Sequence, residues 1–399
     1  GDSLLRAGEI SDNQMQYDSI LKAVPEGGTV EAAGDSLIVS DADAVTVYVN
    51  AETDYKNDYP EYRTGETAEE LHSRVEKAVE AAAAKSYESV KADHISDYSS
   101  LFSRVQLNIG QSVSDKTTDE LLSAYNSGTA SEAEQRQLEV MLFQYGRYLM
   151  LGSSRGNSQL PSNLQGVWNN SNSPAWSADY HLNVNLQMNY WPAYSTNLAE
   201  CAEPLISYVD SLREPGRVTA SIYAGIDSAE GEENGFMAHT QNTPFGWTCP
   251  GWSFDWGWSP AAVPWILQNC WEYYEYTGDL EYMKERIYPM LREEAVMYSS
   301  MLIKDEEGKY VSSPAYSPEQ GPRTAGNTYE QSLIWQLFED AITAGELAGE
   351  DEAVLNDWRE KQANLKGPIE IGEDGQIKEW YIETKFNQDA DGNTLGEGY

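Results

Sequence analysis

From Glu132 onward, long stretches of helical periodicity alternate with long loops rich in Trp, Gly and Pro. Apolar residues recurring every three to four positions predict helices over residues 132–151, 260–276, 281–302 and 329–348. Trp265, Leu267, Trp271 and Tyr274 run along the second of these. Two loops, Gly235 to Trp258 and Val311 to Asn327, exceed the ~15 residues beyond which an unstructured connection is uncommon and usually functional. Long helices separated by such loops imply a mostly α fold, an α-helical toroid with its loops gathered at one rim. No internal repeat marks the chain, so the helix pattern alone carries this expectation.

The first third reads differently. Residues 1–55 hold short β runs (Gly28–Glu31, Ser36–Val39, Ala44–Val49) parted by Gly, Asp and Asn turns. They are too few for a closed sandwich and are expected to be the later part of one. Thr67-Ala68-Glu69-Glu70 opens a helix, with Leu71, Val75, Val79 and Ala82 on one face. Val105–Ile109 is expected to return as a strand, followed by a helix over 118–125. The expected domains are therefore the β segment at 1–60, a helical linker with a returning strand at 61–135, and the helical domain at 136–399.

Charge restricts the partners. With 65 acidic against 26 basic residues the net charge is −39, which argues against nucleic acid and anionic membranes. A neutral ligand is compatible with it. The chain has 12 Trp and 26 Tyr but only 7 Phe, so most aromatics carry a polar handle. Three cysteines without a CxxC pattern speak against a disulfide framework or a zinc site, and four histidines against a His-rich metal centre. No cofactor is expected, because dinucleotide, P-loop, EF-hand, zinc-protease and nucleophile-elbow motifs are absent. No apolar run is long enough to span a bilayer. The chain opens on Gly1-Asp2 without a signal peptide, and is expected to be part of a longer protein. Oligomeric state is not legible.

The stretch Leu160–Leu205 is dense in Asn and Trp and poor in formal charge. Aromatic faces beside amide side chains suit a sugar, whose C–H faces stack on rings and whose hydroxyls pair with amides. Within it, His181-Leu182-Asn183-Val184-Asn185-Leu186 alternates polar and apolar. If extended, His181, Asn183 and Asn185 share one face while Leu182, Val184 and Leu186 anchor the other. Two readings stay open: residues converging on a cleft, or a half-buried strand with a wet face.

Glu319 lies between two prolines in Ser312–Pro322, where Tyr316 could shield its carboxyl as a general acid requires. An exposed loop glutamate is the plainer alternative. His239 stands among amides in Gly235–Asn242, and four tryptophans, Trp247, Trp252, Trp256 and Trp258, crowd Gly246–Trp258. Those rings are either pocket walls or core. Glu379-Trp380 repeats the pairing of carboxylate and ring, and Asp179, Asp255 and Glu330 are further carboxylates without an assigned role.

Asn163–Asn169, His181–Pro192, Asn197–Cys201, Ala238-His239, Tyr273–Asp279 and Ser313–Glu319, in this order, resemble glycoside hydrolase family 95, the α-L-fucosidases, and in particular the inverting 1,2-α-L-fucosidases. The resemblance covers nearly the whole chain. It implies a β-sandwich, a helical linker and an (α/α)6 toroid, here a central fragment incomplete at its C-terminus. It implies Glu319 as general acid, Asn183 and Asn185 as holders of the attacking water, and His181 on the sugar. His239 and Glu379 follow as further sugar contacts, and the residue reading adds Trp168, Trp247 and Trp252 as expected pocket walls against the substrate. The aspartate base of that mechanism has no match here and is expected outside the chain. The implied activity is exo-hydrolysis of terminal α-1,2-linked L-fucose from host-type glycans, with inversion, by an extracellular or cell-surface enzyme. The alternatives are an α-L-galactosidase, a fucose-binding fragment without turnover, and a glycoside phosphorylase, against which the acidity speaks.

Overall fold

The computed structural model describes residues 1–381 apart from Trp252 and Asp374. The chain divides into two compact units at residues 104 and 105. The architecture is mostly α, with β structure concentrated at the N-terminus.

In the first unit five strands come first: β1 (Ser3–Glu9), β2 (Gln16–Glu26), β3 (Thr29–Ala33), β4 (Ser36–Ser40) and β5 (Ala44–Thr53). β1, β2 and β5 form an antiparallel sheet in that order, while β3 and β4 pair as a hairpin. Ile20 on β2 and Tyr48 on β5 meet Leu71, Val75 and Val79 of helix α1 (Ala68–Ala83), forming a small core. Removing each such side chain from water stabilises by about 1.5–3 kcal/mol. On the other face Val45, Val47 and Val49 are exposed. The capping start is present as expected: Glu70 N donates to Thr67 Oγ1 (3.3 Å), and Thr67 N donates to Glu70 Oε2 (2.9 Å). A second helix, α2 (Tyr87–Phe102), buries only Leu101 and has almost no apolar face, so periodicity did not reveal it.

The second unit opens without the expected strand. Val105–Ile109 is irregular because side chains, not a neighbouring strand, satisfy its backbone: Gln144 Nε2 and Arg147 Nη1 both donate to Val105 O (3.2 and 3.3 Å). Helices α3 (Thr118–Asn126) and α4 (Glu132–Ser153) follow, then β6 (Tyr180–His181), α5 (Asn185–Ser195), α6 (Glu203–Ser211), α7 (Arg213–Ala224), β7 (Gln241–Asn242) and the short α8 (Phe254–Gly257). Helix α9 (Ala262–Thr277) comes next, then α10 (Leu280–Tyr282), which continues through a π turn into α11 (Tyr288–Met301). After β8 (Ile303–Lys304), β9 (Tyr310–Val311), β10 (Ala315–Ser317) and β11 (Gln320–Thr324) come α12 (Thr328–Ala348) and α13 (Glu352–Ala363). α12 is the centre of the packing and lies against α9, α11 and α13. No described helix is long and apolar enough to cross a membrane.

Candidate active site

Glu319 sits at the tip of a hairpin. Ser317 pairs with Gln320 across β10 and β11, which leaves Pro318 and Glu319 as the turn and exposes the Glu319 side chain. The shielding expected from Tyr316 is not there. Tyr316 is buried, and its ring lies under the Arg323 guanidinium, 5.0 Å from the ring centroid. Side chains of a tight turn leave the sheet for solvent, so a neighbour on the strand does not cover them.

Three contacts fix the hairpin. Tyr316 N donates to Glu330 Oε1 (2.9 Å), and Glu330 N in turn donates to Asn327 Oδ1 (2.8 Å), the N-cap of α12. Burial pushes the Glu330 carboxyl up to about 7, against the opposing pull of the Tyr316 N–H. Trp258 Nε1 donates to Pro314 O (2.9 Å), and Ser317 Oγ donates to Glu379 Oε1 (2.6 Å). Behind the hairpin the fully buried Trp380 lies on Gly321 so closely that a methyl group there would come within 2.0 Å of its ring. Gly321 also has φ +71°, a second reason for glycine.

The segment His181–Leu186 is not extended throughout. β6 pairs with β7 (Tyr180 with Asn242, His181 with Gln241), and the chain then turns at residues 182–184 into α5. The buried Gln187 side chain stabilises this turn, its Nε2 donating to Leu182 O (2.6 Å). Leu182 and Leu186 are buried as expected, while Val184 is only half-buried. The turn places Asn183 against the hairpin: its Nδ2 donates to Glu319 Oε1 (2.9 Å). Asn183 Oδ1 is buried and has no hydrogen-bond partner among the described residues. Asn185 becomes the first residue of α5.

His181 is held from behind. Its Nδ1 lies 2.6 Å from Asp179 Oδ1, and Gln241 Nε2 donates to Asp179 Oδ2 (3.1 Å), all three side chains being buried. A carboxylate at Nδ1 fixes the proton there and leaves Nε2 as the working nitrogen. The approach to Asp179 is unusual. Trp176, Ser177 and Ala178 have φ of 48°, 57° and 50°, in the left-handed region that costs a non-glycine residue about 1–2 kcal/mol.

His239 is fully buried, with its Nδ1 donating to Thr248 O (2.9 Å) and its ring 4.9 Å from that of Trp258. Burial lowers its pKa to about 4, so it is neutral at physiological pH. Trp258 continues the wall to Phe254, over which Arg323 also lies. Trp168 and Trp247 are partly exposed, and Trp252 falls outside the described residues. No three His, Cys, Asp or Glu side chains gather as a metal set among the described residues.

The structure thus joins Glu319 to Asn183, and Glu379 to the hairpin that carries Glu319. Asp179 and Glu330 gain roles that the sequence reading had left unassigned. An Asp-x-His pair at strand spacing was the available signal for the first, since i and i+2 share a face. Chemically, an exposed carboxyl, an amide and a carboxylate-held imidazole can bind hydroxyls and deliver a proton.

Residues 86–392 match the Glycosyl hydrolase family 95 catalytic domain, and residues 1–58 match the Glycosyl hydrolase family 65, N-terminal domain. "Probable alpha-fucosidase A" of Aspergillus niger is 37% identical over 320 residues, covering 77% of this chain and 39% of the relative. "Alpha-L-fucosidase 2" of Arabidopsis thaliana is 32% identical over 382 residues, covering 92% of this chain and 44% of the relative. The chain therefore spans less than half the length of these curated relatives. Among solved structures, a human-microbiome protein assigned as a kojibiose phosphorylase superposes with a TM-score of 0.64 at 11% identity. That likeness covers 96% of this chain and 48% of the other, and is one of fold alone.

Proposed function

Because the chain belongs to glycosyl hydrolase family 95, we propose that it carries the acid side of an exo-acting α-L-fucosidase, releasing terminal α-1,2-linked L-fucose from fucosylated oligosaccharides with inversion. The observation that carries this reading is the contact of Asn183 Nδ2 with Glu319 Oε1. It brings a carboxyl that can give a proton and an amide that can bind a hydroxyl or water together at one exposed point.

In this reading Glu319 gives its proton to the glycosidic oxygen as the C1–O bond breaks. A water oriented by Asn183 and Asn185 forms the new C1–O bond from the opposite face and passes its proton to a base. Inverting glycosidases keep the two acting carboxyls about 6.5–9.5 Å apart to admit that water. The reading assigns the base to none of these 399 residues. His181 binds a sugar hydroxyl through Nε2, and Asp179 keeps it oriented. The neutral substrate meets no penalty from the net charge of −39, which also suits an enzyme working outside the cell or on its surface.

The test is fucose release from 2'-fucosyllactose, with the product anomer followed by NMR. It uses this chain, this chain lengthened with the C-terminal sequence its relatives carry, and Glu319→Gln of the active form. Early β-fucose that disappears in the Gln variant supports the assignment. Equal turnover by parent and variant removes Glu319 from the mechanism. Early α-fucose excludes inversion.

A further inference from the structure

We propose that the uncharged loop from Val167 to Ala178 is the subsite for the leaving-group sugar, with Trp176 as its stacking platform. The inference rests on the glycosidase reading and extends it to the part of the substrate that is not fucose. Residues 156–178 contain no Asp, Glu, Lys, Arg or His, in a chain of net charge −39. A loop whose only task was to stay solvated would share the charge of the rest of the surface. This one instead displays indoles and amides: Trp176 is 70% exposed and Trp168 is 48% exposed.

The Trp168 ring is presented rather than left free. Trp168 lies on Gly166 and Gly152 so closely that a methyl group on either would come within 2.5 and 3.2 Å of the indole, which supports one part of the ring while the rest faces solvent. Between the two tryptophans the loop is braced by its own polar groups. Asn169 Nδ2 donates to Ser171 O (2.7 Å), Ser171 N to Asn169 Oδ1 (3.0 Å), and Ser173 N to Ser171 Oγ (3.0 Å). Trp176 is then tied to the site itself. Asp179 N donates to Trp176 O (3.3 Å), and Asp179 is the carboxylate that holds His181.

The left-handed turn through Trp176, Ser177 and Ala178 therefore sets an exposed indole three residues before Asp179 and five before His181. Strained backbone of this kind persists where the surroundings over-determine it, and it gathers at ligand-binding sites. An indole face offers the C–H face of a pyranose a sequence of contacts that carries no charge requirement, and neighbouring amides match its hydroxyls. The ligand class that fits is a neutral hexose or disaccharide, the reducing-side part of a fucosylated oligosaccharide.

The experiment is calorimetric titration with lactose and, separately, with L-fucose. It compares the parent with Trp176→Ala, Trp176→Phe and, as a control elsewhere on the surface, Trp191→Ala. Because it measures binding, it reads out whether or not the chain turns over. The expected result is a dissociation constant for lactose raised about tenfold by Trp176→Ala, a loss of about 1.4 kcal/mol. Trp176→Phe should restore it to within about threefold, with Trp191→Ala matching the parent. Equal lactose affinity in parent and Trp176→Ala overturns the proposal. So does a parent that binds no lactose at tens of millimolar, or a Phe variant as weak as the Ala one. Failure of fucose release with lactose binding lost in Trp176→Ala would sink the hydrolase reading and leave the subsite standing.

Discussion

Asn183 and Glu319, 136 positions apart in sequence, touch through a single hydrogen bond in which the amide donates and the carboxylate accepts. At 2.9 Å no sugar ring fits between them. A sugar must enter beside this pair or part it. Asn183→Ala is expected to lower kcat by about 10²-fold, the order of one pre-organised polar group in a reacting site, and to raise KM by much less. A KM effect larger than the kcat effect would reassign Asn183 to sugar binding.

Asp179 holds His181 in place and fixes its proton. Asp179→Asn preserves the shape but offers an amide, which lets the imidazole place its proton on Nε2. Loss of a charged orienting partner is expected to lower kcat/KM about 10²-fold with an unchanged unfolding midpoint. The imidazole tautomer, read from ¹⁵N shifts, should change with it.

Glu330 supports the hairpin through the Tyr316 N–H. Glu330→Gln keeps an acceptor there and Glu330→Leu removes it, leaving a buried N–H unpaired at a cost of about 1–3 kcal/mol. Hydrogen exchange of peptides spanning residues 312–324 should quicken in the Leu variant and stay near the parent rate in the Gln variant. Turnover should follow the same order.

His239 contributes a pH dependence whose sign is fixed by its burial. Its folded pKa of about 4 lies below the unfolded 6.5. As pH falls from 6.5 to 4 the unfolded chain takes up a proton that the folded one refuses, and stability drops by up to about 3 kcal/mol. Glu330 and Asp340, both raised to about 7 by burial, act in the opposite direction, favouring the folded chain at low pH and losing that effect as pH rises through 7. The difference between parent and His239→Gln isolates the histidine. Urea unfolding of the two should diverge below pH 6.5 and run parallel above it.

Glu293 and Glu294 are neighbours on α11 with opposite surroundings. Glu293 receives Arg213 Nε (2.6 Å) and Arg217 Nε (2.7 Å), whereas neither oxygen of the fully buried Glu294 has a hydrogen-bond partner among the described residues. Burial, with the charge of Glu293 beside it, holds the Glu294 carboxyl well above its usual range. Glu293→Ala should cost about 3 kcal/mol, because Arg213 and Arg217 lose their buried partner and keep only the less buried Asp210 and Glu233. Glu294→Met should be neutral or stabilising by about 1 kcal/mol. Denaturant midpoints of the two variants should therefore move apart.

Helices with strong caps or a clear apolar face were legible in the sequence. Thr67 and Glu70 announced α1, and α12 begins and ends within a residue of its predicted bounds. What escaped depended on distant partners. The turn after His181 needs Gln187, whose own carbonyl is bonded by Asn269 Nδ2 (3.2 Å). Val105 is kept out of a sheet by Gln144 and Arg147. Of the site, Glu319, Asn183 and His181 could be named from residue type and spacing. That Glu319 is bare and His181 is backed by Asp179 could not, because exposure and pairing are set by the turn and the β6–β7 register.

Glu379, which with Trp380 clasps the hairpin of Glu319, comes 62 residues after Ser317. A ribosome delivers the chain from its N-terminus at roughly 5–20 residues per second. For some seconds after β10 and β11 emerge, their backing has yet to be made. A chain cut short before Trp380 would possess Glu319 without the support that aims it. The turn that carries Glu319 is thereby backed only once Glu379 and Trp380 have been made, so its order is timed to the synthesis of residues well beyond it.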